Sequence, residues 1–162
     1  DVLRWIEKIS DDKIKEIHLY GISMGASTLC YASDKITDKR VKSIVADCGY
    51  TSPRELIDHI LKRQKVPEFL VAAAFHAGEK IAKAGMKDKT EEHLSKTSIP
   101  IFFIHGEDDT VVPASHSERN FNACRSKKRL EIVKNAGHAC AAVVGGKELR
   151  DKIFLFLGDN NE

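Results

Sequence analysis

No apolar run in this chain approaches the ~20 residues that a membrane-spanning helix needs, so no membrane segment is expected. Surplus charge is lacking too. The 26 Lys and Arg against 24 Asp and Glu leave a net +2, which argues neither for nor against an acidic partner. The densest basic stretch, Arg125, Lys127, Lys128 and Arg129, has no interleaved aromatic residues. It reads as a solvated link between two elements rather than a nucleic-acid surface. The four cysteines, Cys30, Cys48, Cys124 and Cys140, form no CxxC pair. Zinc-ligand spacing is therefore missing, and a dense disulfide framework is not expected. Most of these thiols read as small core residues of a reducing, cytoplasmic compartment. His59, His76, His93 and His116 show no metal-ligand partner at useful spacing, and neither a metal nor a cofactor is expected. Repeats and low-complexity tracts are absent as well, and no signal peptide is expected within these residues.

The 162 residues suit one compact domain, and an apolar share of 42% is enough to build its core. Strand and helix patterns alternate, which predicts a parallel sheet covered by helices. Val2, Trp5, Ile6 and Ile9 keep helical spacing, so the chain opens inside an apparent helix and a natural amino terminus is expected upstream. Strands are expected at Ile17–Tyr20, Val41–Ala46, Ile99–Ile104 and Leu130–Val133. Helices are expected from Gly25 to about Ser33, from about Ser115 to Cys124, and from Glu148 to Leu157. Between the second and third strands lies a long excursion, Thr51–Ser98. It starts with Ser52 and Pro53, a helix-start pair. After Pro67 comes Phe69, Leu70, Val71, Ala72, Ala73, Ala74 and Phe75, apolar on more faces than a surface helix should be. Two readings stay open: a buried core helix, or a cap whose Phe69, Leu70 and Phe75 line a substrate pocket.

Three short motifs carry chemistry. Gly21-Ile22-Ser23-Met24-Gly25 falls directly between a strand and a helix. There a sharp turn would hold the serine hydroxyl exposed, and flanking glycines would let the turn close. After the third strand comes His105-Gly106-Glu107-Asp108-Asp109-Thr110-Val111-Val112-Pro113, and after the fourth Asn135-Ala136-Gly137-His138. All three motifs fall at the carboxyl ends of parallel strands, where ligands bind in open α/β sheets. His18 reads as a packed strand residue and His105 as a backbone-bonding one. His59, His76, His93 and His116 read as ordinary helix or loop positions.

In these motifs the chain resembles the α/β-hydrolase superfamily, closest to small esterase-like and prolyl-oligopeptidase-like serine hydrolases. The likeness extends over essentially the whole chain, including Ala46-Asp47-Cys48-Gly49-Tyr50-Thr51-Ser52. It implies a predominantly parallel sheet with helices on both faces, lacking its first strands, with 51–98 as a helical cap-like insertion. It implies Ser23 as nucleophile, His138 as base and Asp109 as the acid, with Asp108 as the alternative and Asp47 as an outside candidate. Met24 would supply one backbone oxyanion donor, and the second would come from a loop upstream of the nucleophile strand. A small acyl substrate, attacked through an acyl-enzyme, is the expected chemistry. The alternative is a non-catalytic fragment or interaction module with an incomplete oxyanion hole. In either case the nucleophile strand would be left as an exposed edge prone to self-association.

Overall fold

The computed structural model describes residues 1–9, 13–82 and 88–159. Four strands, β1 (Ile17–Ile22), β2 (Val41–Asp47), β3 (Ile101–Gly106) and β4 (Lys128–Val133), lie side by side in chain order. All three pairings are parallel. Every crossover steps to the next strand in the same direction, so with the usual right-handed turn the helices that pack on the sheet between strands collect on one face. These are α2 (Met24–Ala32), α5 (Thr90–Leu94) and α6 (Ser115–Ala123), joined by α1 (Val2–Lys8). The last helix, α7 (Ala141–Gly158), covers the opposite face. None of the described helices is long and apolar enough to cross a membrane.

Strand alternation sorts the core into two layers. Ile44, Ala46, Ile101 and Phe103 pack towards α2, α5 and the end of α6, while Val45, Phe102 and Ile104 pack against Leu149 and Phe156 of α7. A single helix does not reach across the whole second face. On β1 the residues on that side, Tyr20 and Ile22, stay 46% and 48% exposed, and β1 is an edge of the sheet.

Several expectations shift in detail. Trp5 shares the spacing of Ile6 but is 66% exposed, so the buried stripe of α1 narrows to Ile6 with partial help from Val2 and Ile9. The third strand starts at Ile101 rather than Ile99, beyond Pro100, whose carbonyl accepts from Ile44 N–H instead. The closing helix starts seven residues early, at Ala141, and breaks at Gly146, where φ is 52° and ψ −135°.

The excursion after β2 holds α3 (Pro53–Arg63), α4 (Glu68–Ala82) and then α5. Ser52 caps α3 by accepting from Glu55 N–H at 3.1 Å, with Pro53 behind it at the first helical position. The apolar run on α4 is not buried all round. Val71 and Phe75, one turn apart, are covered, whereas Phe69 is 72% and Leu70 48% exposed. A core-helix reading therefore holds only for one stripe of α4, which packs on α3.

Candidate active site

Ser23 sits where β1 turns into α2, at φ 52° and ψ −114°, a left-handed conformation that non-glycine residues rarely adopt. Such a residue costs on the order of 1–3 kcal/mol and persists only where its surroundings hold it. Here its N–H donates to Asp47 O at the end of β2 (2.8 Å), and its C=O accepts from Ser27 N–H (3.1 Å). Gly21 is required by contact: a Cβ there would lie 2.6 Å from the Gly25 backbone. Gly25 is not, because a Cβ on it would meet nothing within 4 Å. The expectation that both glycines relieve crowding holds for the first alone.

Asp109 lies just beyond β3 with its side chain fully buried. Oδ1 accepts from Val111 N–H and Val112 N–H, each at 2.9 Å. Oδ2 faces His138 Nδ1 at 2.7 Å and His105 Nε2 at 3.2 Å. Asp108, its neighbour, is exposed, and its N–H donates to Ala136 O at 3.0 Å. That bond ties the Asp109 loop to the loop after β4, which carries His138 between the left-handed Asn135 (φ 58°) and Ala139 (φ 57°). The two loops touch closely at Gly106, where a Cβ would stand 2.3 Å from Ala136 O.

His138 completes the line, with Nε2 3.0 Å from Ser23 Oγ and the ring partly open to solvent. With its proton on Nδ1, donated to Asp109, the ring presents a lone pair on Nε2 to the serine hydroxyl. Such an arrangement can accept a proton from Ser23 as its oxygen attacks an electrophilic carbon. Met24 is the first residue of α2, so its N–H belongs to the turn that has no intrahelical acceptor.

His105 does more than bond the backbone. It is buried at the end of β3, with Nδ1 2.6 Å from Ser117 Oγ and Nε2 2.8 Å from Val112 O, besides its approach to Asp109. Burial holds its imidazole below the ordinary value, hence neutral. The H-G-x-x-D spacing was the signal that could have assigned it as a brace for the acid. A second buried carboxyl, Asp47, accepts from Tyr20 Oη at 3.2 Å through Oδ2, while Oδ1 has no partner among the described residues. Burial pushes it up to about 6, with the Asp109 charge adding to the rise. It makes no hydrogen bond to His138 among those described. Cys48 follows, buried and left-handed (φ 47°), its thiol pushed up to about 12 by burial and then by Asp47.

No described hydrogen bond or ring contact joins Phe69, Leu70 or Phe75 to Ser23, Asp109 or His138. Phe75 instead packs beneath the Arg54 guanidinium, 4.4 Å from its ring centroid. The excursion does reach the loop after β3: Arg63, at the end of α3, donates to the Thr110 carbonyl, one residue past Asp109.

The family model described as "Serine aminopeptidase, S33" matches residues 59–142, just over half of the chain. Among curated proteins the chain is similar to YqkD of Bacillus subtilis, 27% identical over 157 residues, covering 90% of this chain and 49% of that protein. It is also 21% identical to the lysophosphatidylserine lipase ABHD12 of Xenopus tropicalis, covering 99% of this chain and 44% of that protein. The chain thus spans about half the length of these relatives. Its fold resembles that of the Pyrococcus furiosus esterase Pf2001, with a TM-score of 0.73, 21% identity, and coverage of 98% of this chain and 59% of the esterase. The Paleococcus ferrophilus monoacylglycerol lipase has a TM-score of 0.67 at 17% identity, covering 98% and 74%.

Proposed function

The chain belongs to the serine aminopeptidase S33 family of α/β-hydrolases, and from that premise we propose that it is the Ser-His-Asp portion of a serine hydrolase acting on an ester-type or related acyl bond. One observation carries the reading: the unbroken line of polar contacts from Ser23 Oγ through His138 to Asp109, at 3.0 and 2.7 Å. In the reaction, His138 Nε2 takes the serine proton as Ser23 Oγ bonds the acyl carbon. Asp109 holds the Nδ1–H tautomer and offsets the charge of the imidazolium. The proton then passes to the leaving group, and water, activated by the same ring, clears the acyl-enzyme. Met24 N–H, at the positive end of α2, would donate to the developing oxyanion. Relatives named as an esterase and as lipases favour an ester over an amide. The link from Arg63 to Thr110 brings the end of α3 against the acid's loop, and the exposed Phe69 and Leu70 on α4 offer apolar surface for an acyl group.

A fluorophosphonate probe tests the reading on the purified chain. Labelling that disappears in Ser23→Ala is the expected result. A folded chain that takes no label would sink the proposal and leave the non-catalytic module in its place.

A further inference from the structure

Cys48, Asp109 and His138 stand at the ends of β2, β3 and β4. Each offers one ligand atom, and these atoms all lie within 4.8 Å of one another. Tetrahedral zinc, with sulfur at ~2.3 Å and nitrogen or oxygen at ~2.0–2.2 Å, sets its ligand atoms about 3.5 Å apart. Seating one ion among the three atoms therefore needs side-chain shifts of about an ångström, including a parting of Asp109 Oδ2 and His138 Nδ1 from their 2.7 Å contact, with water in the fourth position. A buried polar atom lies beside Cys48 in the chain. Asp47, the residue before Cys48, buries a carboxylate oxygen that has no partner among the described residues. Thiol, imidazole and one carboxylate together form a ligand set that suits zinc or cadmium. Magnesium and calcium require oxygen donors throughout and more of them.

We propose that Cys48, Asp109 and His138 form a binding site for a thiophilic divalent cation of the zinc class, and that its occupation switches Ser23 off. The ion bonds Nδ1, the ring nitrogen that faces Asp109. The ring proton then sits on Nε2, which points its N–H at Ser23 instead of a lone pair. A ring in that state cannot take the serine proton. The Cys48 thiol proton leaves to solvent as the metal–sulfur bond forms, while Asp109 Oδ1 stays held by Val111 and Val112. The effect on Ser23 rests on the hydrolase reading above; the binding does not.

Cadmium is the probe, because its bond to a thiolate adds a charge-transfer band in the ultraviolet whatever the enzyme does. Cys140 is exposed and would bind the probe itself, so the titration uses the full chain carrying Cys140→Ser. One cadmium per chain should bind with the band, displaced by zinc and not by magnesium. Adding Cys48→Ser or His138→Ala should weaken binding by at least about a hundredfold, more than loss of a merely supporting partner costs. Ser23→Ala should leave it unchanged. A folded Cys140→Ser chain without the band overturns the site, as does a band that survives both ligand variants. Should Cys48→Ser not fold, His138→Ala carries the comparison alone. Zinc should also suppress fluorophosphonate labelling of Ser23, and a chelator should restore it. Binding with labelling untouched overturns the switch and keeps the site. If the metal-free chain takes no label, the hydrolase reading fails and the cadmium titration decides the site by itself.

Discussion

Gly106→Ala should disable Ser23 from a position that touches neither the serine nor any substrate. Gly106 ends β3, and its missing side chain lets the loop holding His138 lie directly against it. A Cβ there would stand 2.3 Å from Ala136 O, 2.7 Å from Ala136 C and 2.7 Å from Gly137 O. All three are backbone atoms, so no flexible side-chain end can move aside. Regaining ordinary contact at 3.4 Å requires the loops to part by about 1.1 Å. The bonds from Asp108 N–H to Ala136 O (3.0 Å) and from Glu107 N–H to Val133 O (2.9 Å) would stretch or break. Asp109 and His138 ride on opposite sides of that gap, so their 2.7 Å contact opens with it. Misplacing reacting groups by about 1 Å costs on the order of a hundredfold in rate. Overpacking of this kind costs about 1–3 kcal/mol in stability. The assay is the rate of fluorophosphonate labelling beside a thermal melt, with Gly137→Ala as the control, since a Cβ there meets nothing within 4 Å. A Gly106→Ala chain that labels within about threefold of the wild type, where about a hundredfold is expected, would refute the account of how acid and base are aligned.

Ser23→Ala and His138→Ala should each abolish hydrolysis of a short activated ester, since such groups act as a unit. Asp109→Asn should approach that loss, while Asp108→Asn, at an exposed position, should be mild; the reverse order would reject Asp109 as the acid. Asp47 gives a pH signature. Below about pH 3 its carboxyl is protonated whether folded or not; as pH rises through 4 towards 6 the unfolded chain ionises first, so stability falls, and above about pH 7 the penalty is constant at about 3 kcal/mol. Asp47→Asn should remove that slope, and a variant-minus-wild-type difference that is flat from pH 4 to 7 in denaturant titrations would contradict it. On α4, Phe75→Ala should cost about 3–5 kcal/mol as a large-to-small change at a covered site, whereas Phe69→Ala should stay within about 0.5 kcal/mol. If Phe69 and Leu70 contact the acyl group, their alanine variants shift relative kcat/KM across acyl chain lengths; an unchanged profile removes them from the site. Edge strand β1, with Tyr20 and Ile22 half-exposed, should drive concentration-dependent self-association in sedimentation, and a strict monomer at high concentration would show the edge to be protected.

The turn at Ser23, the order of the three motifs and the parallel alternation were all legible in the sequence, because each depends on short-range chemistry. A glycine two residues before the serine, a strand's apolar run and a proline at a helix start act within one turn of chain. Gly21 is the case in point: its crowding partner is Gly25, four residues away. What the tertiary structure decided involves residues far apart in the chain. The motif favoured Asp109 over its neighbour Asp108 only by resemblance; the physical difference between them is the contact of Asp109 with His138, 29 residues on. The opening of α4 to solvent at Phe69 and the lone carboxylate oxygen of Asp47 follow from packing that no local pattern encodes. The cluster of Cys48, Asp109 and His138 shows the limit most plainly. Metal-ligand spacing is sought along the chain, and these ligands are 61 and 29 residues apart in sequence. They meet because parallel strands deliver all their carboxyl-terminal loops to one edge of the sheet.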